Sequence, residues 1–131
     1  MPEETGILLL NLGSPEAPDS KHVKAFLKEM LSDSRVMDIH PVLRWIILNF
    51  FILPFRPRRS SEAYQKIWTA EGSPLLAHTR NFANKLKKIL PENCRVKYAM
   101  RYGQPSIESQ LNEWQERGIE NFMVFPLYPQ Y

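Results

Sequence analysis

Three short apolar runs, each stopped by residues that strands avoid, set the frame for this chain. Residues 6–12 read Gly-Ile-Leu-Leu-Leu-Asn-Leu and stop at Gly13-Ser14-Pro15. Residues 95–102 alternate apolar and polar and stop at Gly103-Gln104-Pro105. Phe122 to Pro126 read as a buried strand and run into Leu127-Tyr128-Pro129-Gln130-Tyr131. Short apolar runs closed by Gly and Pro predict strands. Helical patterns separate them, giving the order strand, several helices, strand, helix, strand. That alternation predicts a parallel sheet with right-handed crossovers, in an α/β fold. Parallel strands share one carboxyl edge, and open α/β sheets bind ligands there. The residues after the three runs, including Arg101, Tyr102 and Tyr131, are therefore expected at one edge. No element follows the last run to cover it or pair with it. The chain is accordingly expected to be part of a larger protein, cut at the edge of its cleft.

The helices carry their own boundary signals. Ser20 is expected to cap a helix whose apolar face is Val23, Phe26, Leu27, Met30 and Leu31, at i, i+3, i+4, i+7 spacing. Ser60 or Ser61 is expected to open a short helix with Tyr64, Ile67 and Trp68. Ser73 fits an N-cap and Pro74 the first helical position, where a missing N–H costs nothing. The stripe of that helix is expected to be Leu75, Leu76, Phe82, Leu86 and Ile89, with Lys85, Lys87 and Lys88 toward its C-terminal end. Ser106 caps a further helix with Ile107, Leu111 and Trp114 inward, and Gly118 suits its C′ position.

At 131 residues the chain has the size of one domain, residues 1–131. Its net charge of +3 is too small to imply nucleic acid as a partner. The one cysteine, Cys94, excludes an internal disulfide framework and a multi-cysteine metal site. It fits a reducing cytoplasm. His22, His40 and His78 are far apart, so no metal site is expected. The start, Met1-Pro2-Glu3-Glu4-Thr5, is acidic and does not read as a signal peptide. Glycine-rich nucleotide motifs are absent.

Residues 42–53, from Val42 to Leu53, contain only Arg44 and Asn49 as polar residues. Burying one large apolar side chain is worth roughly 1.5–3 kcal/mol, so this run cannot stay exposed without cost. Two readings remain open: a core helix, or a lip that meets a membrane surface or a large flat ligand. The run is too short for a membrane span, which needs about 20 residues. Arg56, Arg58, Arg59, Tyr64 and Ser73 follow closely. Such a set suits a ligand with an apolar body and anionic ends.

At these residues the chain resembles the amino-terminal half of bacterial ferrochelatases. The stretches that carry the resemblance are Leu10-Asn11-Leu12-Gly13-Ser14-Pro15, Phe26-Leu27-Lys28-Glu29-Met30-Leu31-Ser32-Asp33, Gly72-Ser73-Pro74-Leu75, Arg101-Tyr102-Gly103 and Pro126-Leu127-Tyr128-Pro129-Gln130-Tyr131. They occur in family order and cover nearly the whole chain. The resemblance implies a Rossmann-like, three-layer α/β/α half-domain of chelatase type, one of two halves with a four-stranded parallel sheet each. It implies a lyase of haem biosynthesis that inserts ferrous iron into protoporphyrin IX. Leu12, Met30, Leu31 and Val36 would line the porphyrin pocket. Arg56, Tyr64 and Ser73 would hold the propionates. Arg101, Tyr102 and Tyr131 would form a polar cleft floor linked to iron delivery. Leu12 stands where coproporphyrin-type relatives carry a metal-contacting tyrosine, which favours the protoporphyrin type.

The implied partners are the porphyrin, the chain's own carboxyl-terminal half, and a membrane touched peripherally through residues 42–53. The implied location is cytoplasmic and peripherally membrane-associated. No catalytic residue, resident cofactor or metal ligand is expected in this half, because the family's Ser-x-His-(Gly/Ser) motif and later glutamate lie downstream. The lack of further cysteines excludes an iron–sulfur cluster from this half. The chain alone is therefore expected to be inactive. The alternatives are a cobalt chelatase for a related tetrapyrrole and a non-catalytic porphyrin-binding or membrane-surface module.

Overall fold

The computed structural model describes residues 3–129. The chain divides into two compact units, Met1–Gly13 with Leu75–Tyr131, and Ser14–Pro74.

The first unit is built on three parallel strands: β1 (Thr5–Gly13), β2 (Cys94–Tyr102) and β3 (Asn121–Pro126), in the order β2-β1-β3. Two helices belong with them: α4, spanning Pro74–Ile89, and α5, spanning Ile107–Glu116. β1 lies in the centre, and alternation along it divides its side chains between two faces. Ile7 and Leu9 join Val96 and Ala83 of α4 in one cluster, while Leu8 and Leu10 join Ala99, Ile119 and Trp114 of α5 in the other. Helices thus cover both faces of β1, and the unit is an α/β/α layered fold with an open parallel sheet. Three strands occur among the described residues, against the four implied by the resemblance.

β3 is a strand as expected, but it is not buried. Phe122, Met123, Val124 and Phe125 are between 44% and 50% exposed. Order explains this: β3 pairs with β1 alone and has an open edge on its other side. α4 also departs from its predicted stripe. Ala77, Thr79 and Ala83 are its buried residues, whereas Phe82 and Ile89 are exposed. Small side chains let a helix lie close to a sheet, and Leu86 packs partly at its margin. The Ser106 cap holds, its hydroxyl accepting the Ser109 N–H at 3.1 Å. Gly118 takes a positive φ of 75° just beyond the end of α5, as a C′ glycine does.

The second unit is helical: α1 (Ser20–Leu31), α2 (Pro41–Ile46), a π-helix (Ile47–Ile52) and α3 (Arg56–Ile67). Val23, Leu27 and Leu31 of α1 meet Leu48 and Leu53 in its core, and α3 packs beside α1. Asp19, rather than Ser20, caps α1 by accepting the His22 N–H at 3.0 Å. A carboxylate is an equally good cap, and it sits one residue earlier. α3 starts at Arg56, before the predicted Ser60 or Ser61, since Pro57 in its first turn has no N–H to lose. Residues 42–53 satisfy neither reading alone. Leu48 and Leu53 are core, yet Val42, Trp45, Phe50 and Phe51 are 59–67% exposed. Among the described residues, no helix is long and apolar enough to cross a membrane.

Candidate functional site

In the sheet unit the candidate site is the carboxyl edge of the strands. Leu12 has the same parity as Leu8 and Leu10, so it stands on the α5 side of the sheet, and it is 41% exposed. The β1–β2 register pairs Asn11 with Met100 and Gly13 with Tyr102. Leu12 therefore stands beside Arg101. Paired residues of parallel strands share a face, so the apolar and the cationic side chain are neighbours at this edge. The Arg101 guanidinium lies 5.0 Å from the centre of the Tyr102 ring, a cation–π distance. Tyr102 is itself buried.

Gly13 makes that approach possible. Its φ is +121°, and a Cβ built there would lie 1.9 Å from the Tyr102 carbonyl oxygen. Only glycine avoids both problems. Below it, Asn11 Nδ2 donates to Thr79 Oγ1 at 3.1 Å, and that hydroxyl donates to the Leu75 carbonyl at 2.7 Å. The polar end of β1 is thereby fixed to α4. Tyr131 lies outside the described residues.

In the helical unit Arg56 opens α3 and is exposed. It lines a cavity of about 620 Å³ with Phe51, Ile52, Phe55, Arg59, Ser60 and Ala63. One wall is apolar and comes from the π-helix and its exit; the other carries two arginines. The first turn of α3 has no acidic residue, and its N-cap, Phe55, supplies no side-chain hydrogen bond. Arginines at the positive end of a helix raise the local potential, which favours a carboxylate or phosphate there.

Tyr64 lies two turns along the same helix and packs on the core cluster, edge-on to Trp68 at 6.4 Å. Burial raises its phenol above the usual value of 10.0, so it is a neutral donor at physiological pH. Ser73 is only 2% exposed, and its hydroxyl shares a 2.6 Å hydrogen bond with that of Ser14. Leu31 is core, Met30 is partly buried against the same cluster, and Val36 is exposed. Of the seven proposed porphyrin contacts, Leu12, Val36 and Arg56 thus present open surface, while Leu31 and Ser73 are covered.

Sequence reasoning passed over Ser14, Phe55 and Arg59 as site candidates. Ser14 was read as a turn. Phe55 lies beyond the proline that closed the apolar run, although it is 72% exposed. The basic run around Arg59 was the available signal. Among the described residues, no group of three or more His, Cys, Asp or Glu side chains could hold a metal ion. His22 bonds to Asp19 through Nδ1 at 2.6 Å, and His40 Nδ1 accepts the Val42 N–H at 3.2 Å.

Comparison with known proteins bears on this geometry directly. The family model described as Ferrochelatase matches residues 4–131. A ferrochelatase of Chromobacterium violaceum is 51% identical across 98% of this chain, and one of Idiomarina loihiensis is 47% identical across 98%. One of Coxiella burnetii is 45% identical across 96%. The chain spans about 36% of the length of each of these relatives. With the motifs at Leu12, Ser73 and Arg101 inside that matched span, the chain belongs to the ferrochelatase family.

Proposed function

We propose that this chain supplies porphyrin-holding surface to a protoporphyrin ferrochelatase, whose substrates are ferrous iron and protoporphyrin IX. The match to the family over residues 4–131 carries this reading. Leu12 and Val36 offer exposed apolar side chains to a macrocycle, with Met30 and Leu31 behind them in the helical unit. Arg56 offers its guanidinium to a propionate, helped by the uncapped first turn of α3. Tyr64 and Ser73 add neutral hydroxyl donors, and Arg101, Tyr102 and Tyr131 add polar groups to the cleft floor. The contribution of these residues is positioning: a fixed macrocycle brings its pyrrole nitrogens to the metal at lower entropic cost.

Proton removal needs a base that this chain does not offer. None of His22, His40 and His78 stands in a Ser-x-His-(Gly/Ser) motif. Purified as it stands, the chain is expected to insert no iron or zinc into protoporphyrin above the spontaneous rate. The exposed side chains of Val42, Trp45, Phe50 and Phe51 support peripheral membrane contact at the lip.

Absorbance titration tests the propionate role. Arg56→Ala should weaken protoporphyrin binding about tenfold, the range for losing one charge-assisted hydrogen bond. Octaethylporphyrin, which has no carboxylates, should bind wild type and variant alike. An Arg56→Ala variant with unchanged protoporphyrin affinity would remove Arg56 from the site.

A further inference from the structure

A second cavity, of about 640 Å³, opens in the sheet unit at the opposite, amino-terminal end of the strands. Its lining includes Lys87 from the last turn of α4, Arg95 and Lys97 from the first half of β2, and Arg117 at the end of α5. Trp114 lines it as well. Trp114 is 1% exposed, and its indole Nε1–H has no hydrogen-bond partner among the described residues. A buried N–H without an acceptor is uncommon and calls for an explanation.

Every one of these five groups is a donor, and four are cationic. Helix polarity accounts for part of this, since cations at the ends of α4 and α5 complement the carbonyl-rich C-termini. It does not account for Arg95 and Lys97, which lie on a strand, nor for the unpaired indole. Lys97 feels its neighbours: burial first, then Arg117 and Lys87, lower its ammonium below the usual 10.5. Three cations are therefore close enough to repel. Carboxylates offset them only in part. Arg95 pairs with Glu4 at 2.6 Å and Lys97 with Glu113, with both carboxylates at least 40% exposed, and Glu92 lies on the rim. Such solvent-screened pairs give way to a multivalent anion. The volume falls in the range of small-molecule sites, and a net charge of +3 for the whole chain points away from a nucleic acid.

We propose that this cavity is a second binding site, for a small phosphate-class anion held among Lys87, Lys97 and Arg117 with the Trp114 indole N–H donating to one of its oxygens. It is separate from the carboxyl edge and does not depend on the porphyrin reading. Nitrogen-15 NMR of the full chain tests it. The Trp114 indole signal is identified by its through-space contacts with Gly6 and Phe122, which the ring touches. Pyrophosphate and glycerol 3-phosphate are each titrated against chloride at matched ionic strength.

The expected result is a saturable shift of the Trp114 indole signal, with those of Trp45 and Trp68 unmoved. Tighter binding of pyrophosphate assigns the site to free polyphosphate, and tighter binding of glycerol 3-phosphate assigns it to phosphate esters. A Lys87→Ala, Arg117→Ala double variant, altered only at exposed positions, should raise the Kd at least tenfold. No saturable shift, an equal shift with chloride, or an unchanged Kd in the variant overturns the proposal.

Discussion

Two apolar runs in this chain meet opposite fates. Ile7 to Leu10 are four consecutive large residues, and all are buried; Phe50 and Phe51 are two consecutive large residues, and both are exposed. Hydrophobicity alone does not separate them. β1 has a helix layer on each face, so consecutive side chains pointing in opposite directions are both covered. The π-helix has the cluster of Val23, Leu27 and Leu31 on one side only, so Leu48 goes in and its neighbours stay out. The sheet unit spends its apolar residues on folding, and the helical unit keeps part of its own for an external contact.

The sharpest break in this contrast would come at Gly13. Gly13→Ala adds a backbone strain of roughly 1–3 kcal/mol and a clash with the Tyr102 carbonyl of roughly the same size. The expected loss is about 4 kcal/mol, read from chemical denaturation. A loss under about 1 kcal/mol would show that the strand ends are looser than described.

Next in size are Leu8→Ala and Leu27→Ala, one in each unit, each expected to cost about 3 kcal/mol. Hydrogen exchange should place the first loss in β1, β2 and β3 and the second in α1 and α3. Identical exchange patterns in both variants would erase the distinction between the units.

Smaller still for stability is the change of Trp45, Phe50 and Phe51 together to Ser, expected within about 0.5 kcal/mol per site because each is more than half exposed. Sedimentation with anionic vesicles should nevertheless fall sharply. Equal sedimentation of both proteins would withdraw the membrane role from residues 42–53.

The smallest effect concerns Asp19. The His22 N–H bond is the largest reason its carboxyl lies below the usual 3.8, ahead of the opposing desolvation. A depressed folded-state value means stability present above about 3.8 and lost as pH falls through the lower folded value. Asp19→Asn keeps a cap but cannot titrate. The gap between wild type and variant in denaturation midpoint should be constant above pH 5 and close below pH 3.8. A gap that widens on acidification would reverse the assignment.

The strands β1 and β2, the Ser106 cap and the Gly118 stop were legible because each rests on adjacent residues. Errors came where distant chain decides. Phe122 to Phe125 look buried by composition, but strand order puts them at an edge. Phe82 and Ile89 fit a helical stripe, but the sheet's closeness selects Ala77 and Ala83 instead. The π-helix has no periodic signature of its own. At the candidate site, the basic and hydroxyl residues were visible as chemistry, and the resemblance assigned their roles. That Ser14 partners Ser73 across 59 positions was not visible, since only folding brings them together.

The π-helix has one further implication, for chain length rather than composition. Its ladder joins residues five apart, so it takes up one residue more than an α-helical ladder would. Removing any single residue from Ile47–Ile52 would let the ladder close at four, turning all that follows by about 100° about the axis. Phe55 and the arginines of α3 would then point elsewhere while every side chain kept its chemistry. Natural variation in this segment should therefore tolerate exchange of one apolar residue for another far better than the loss or gain of one.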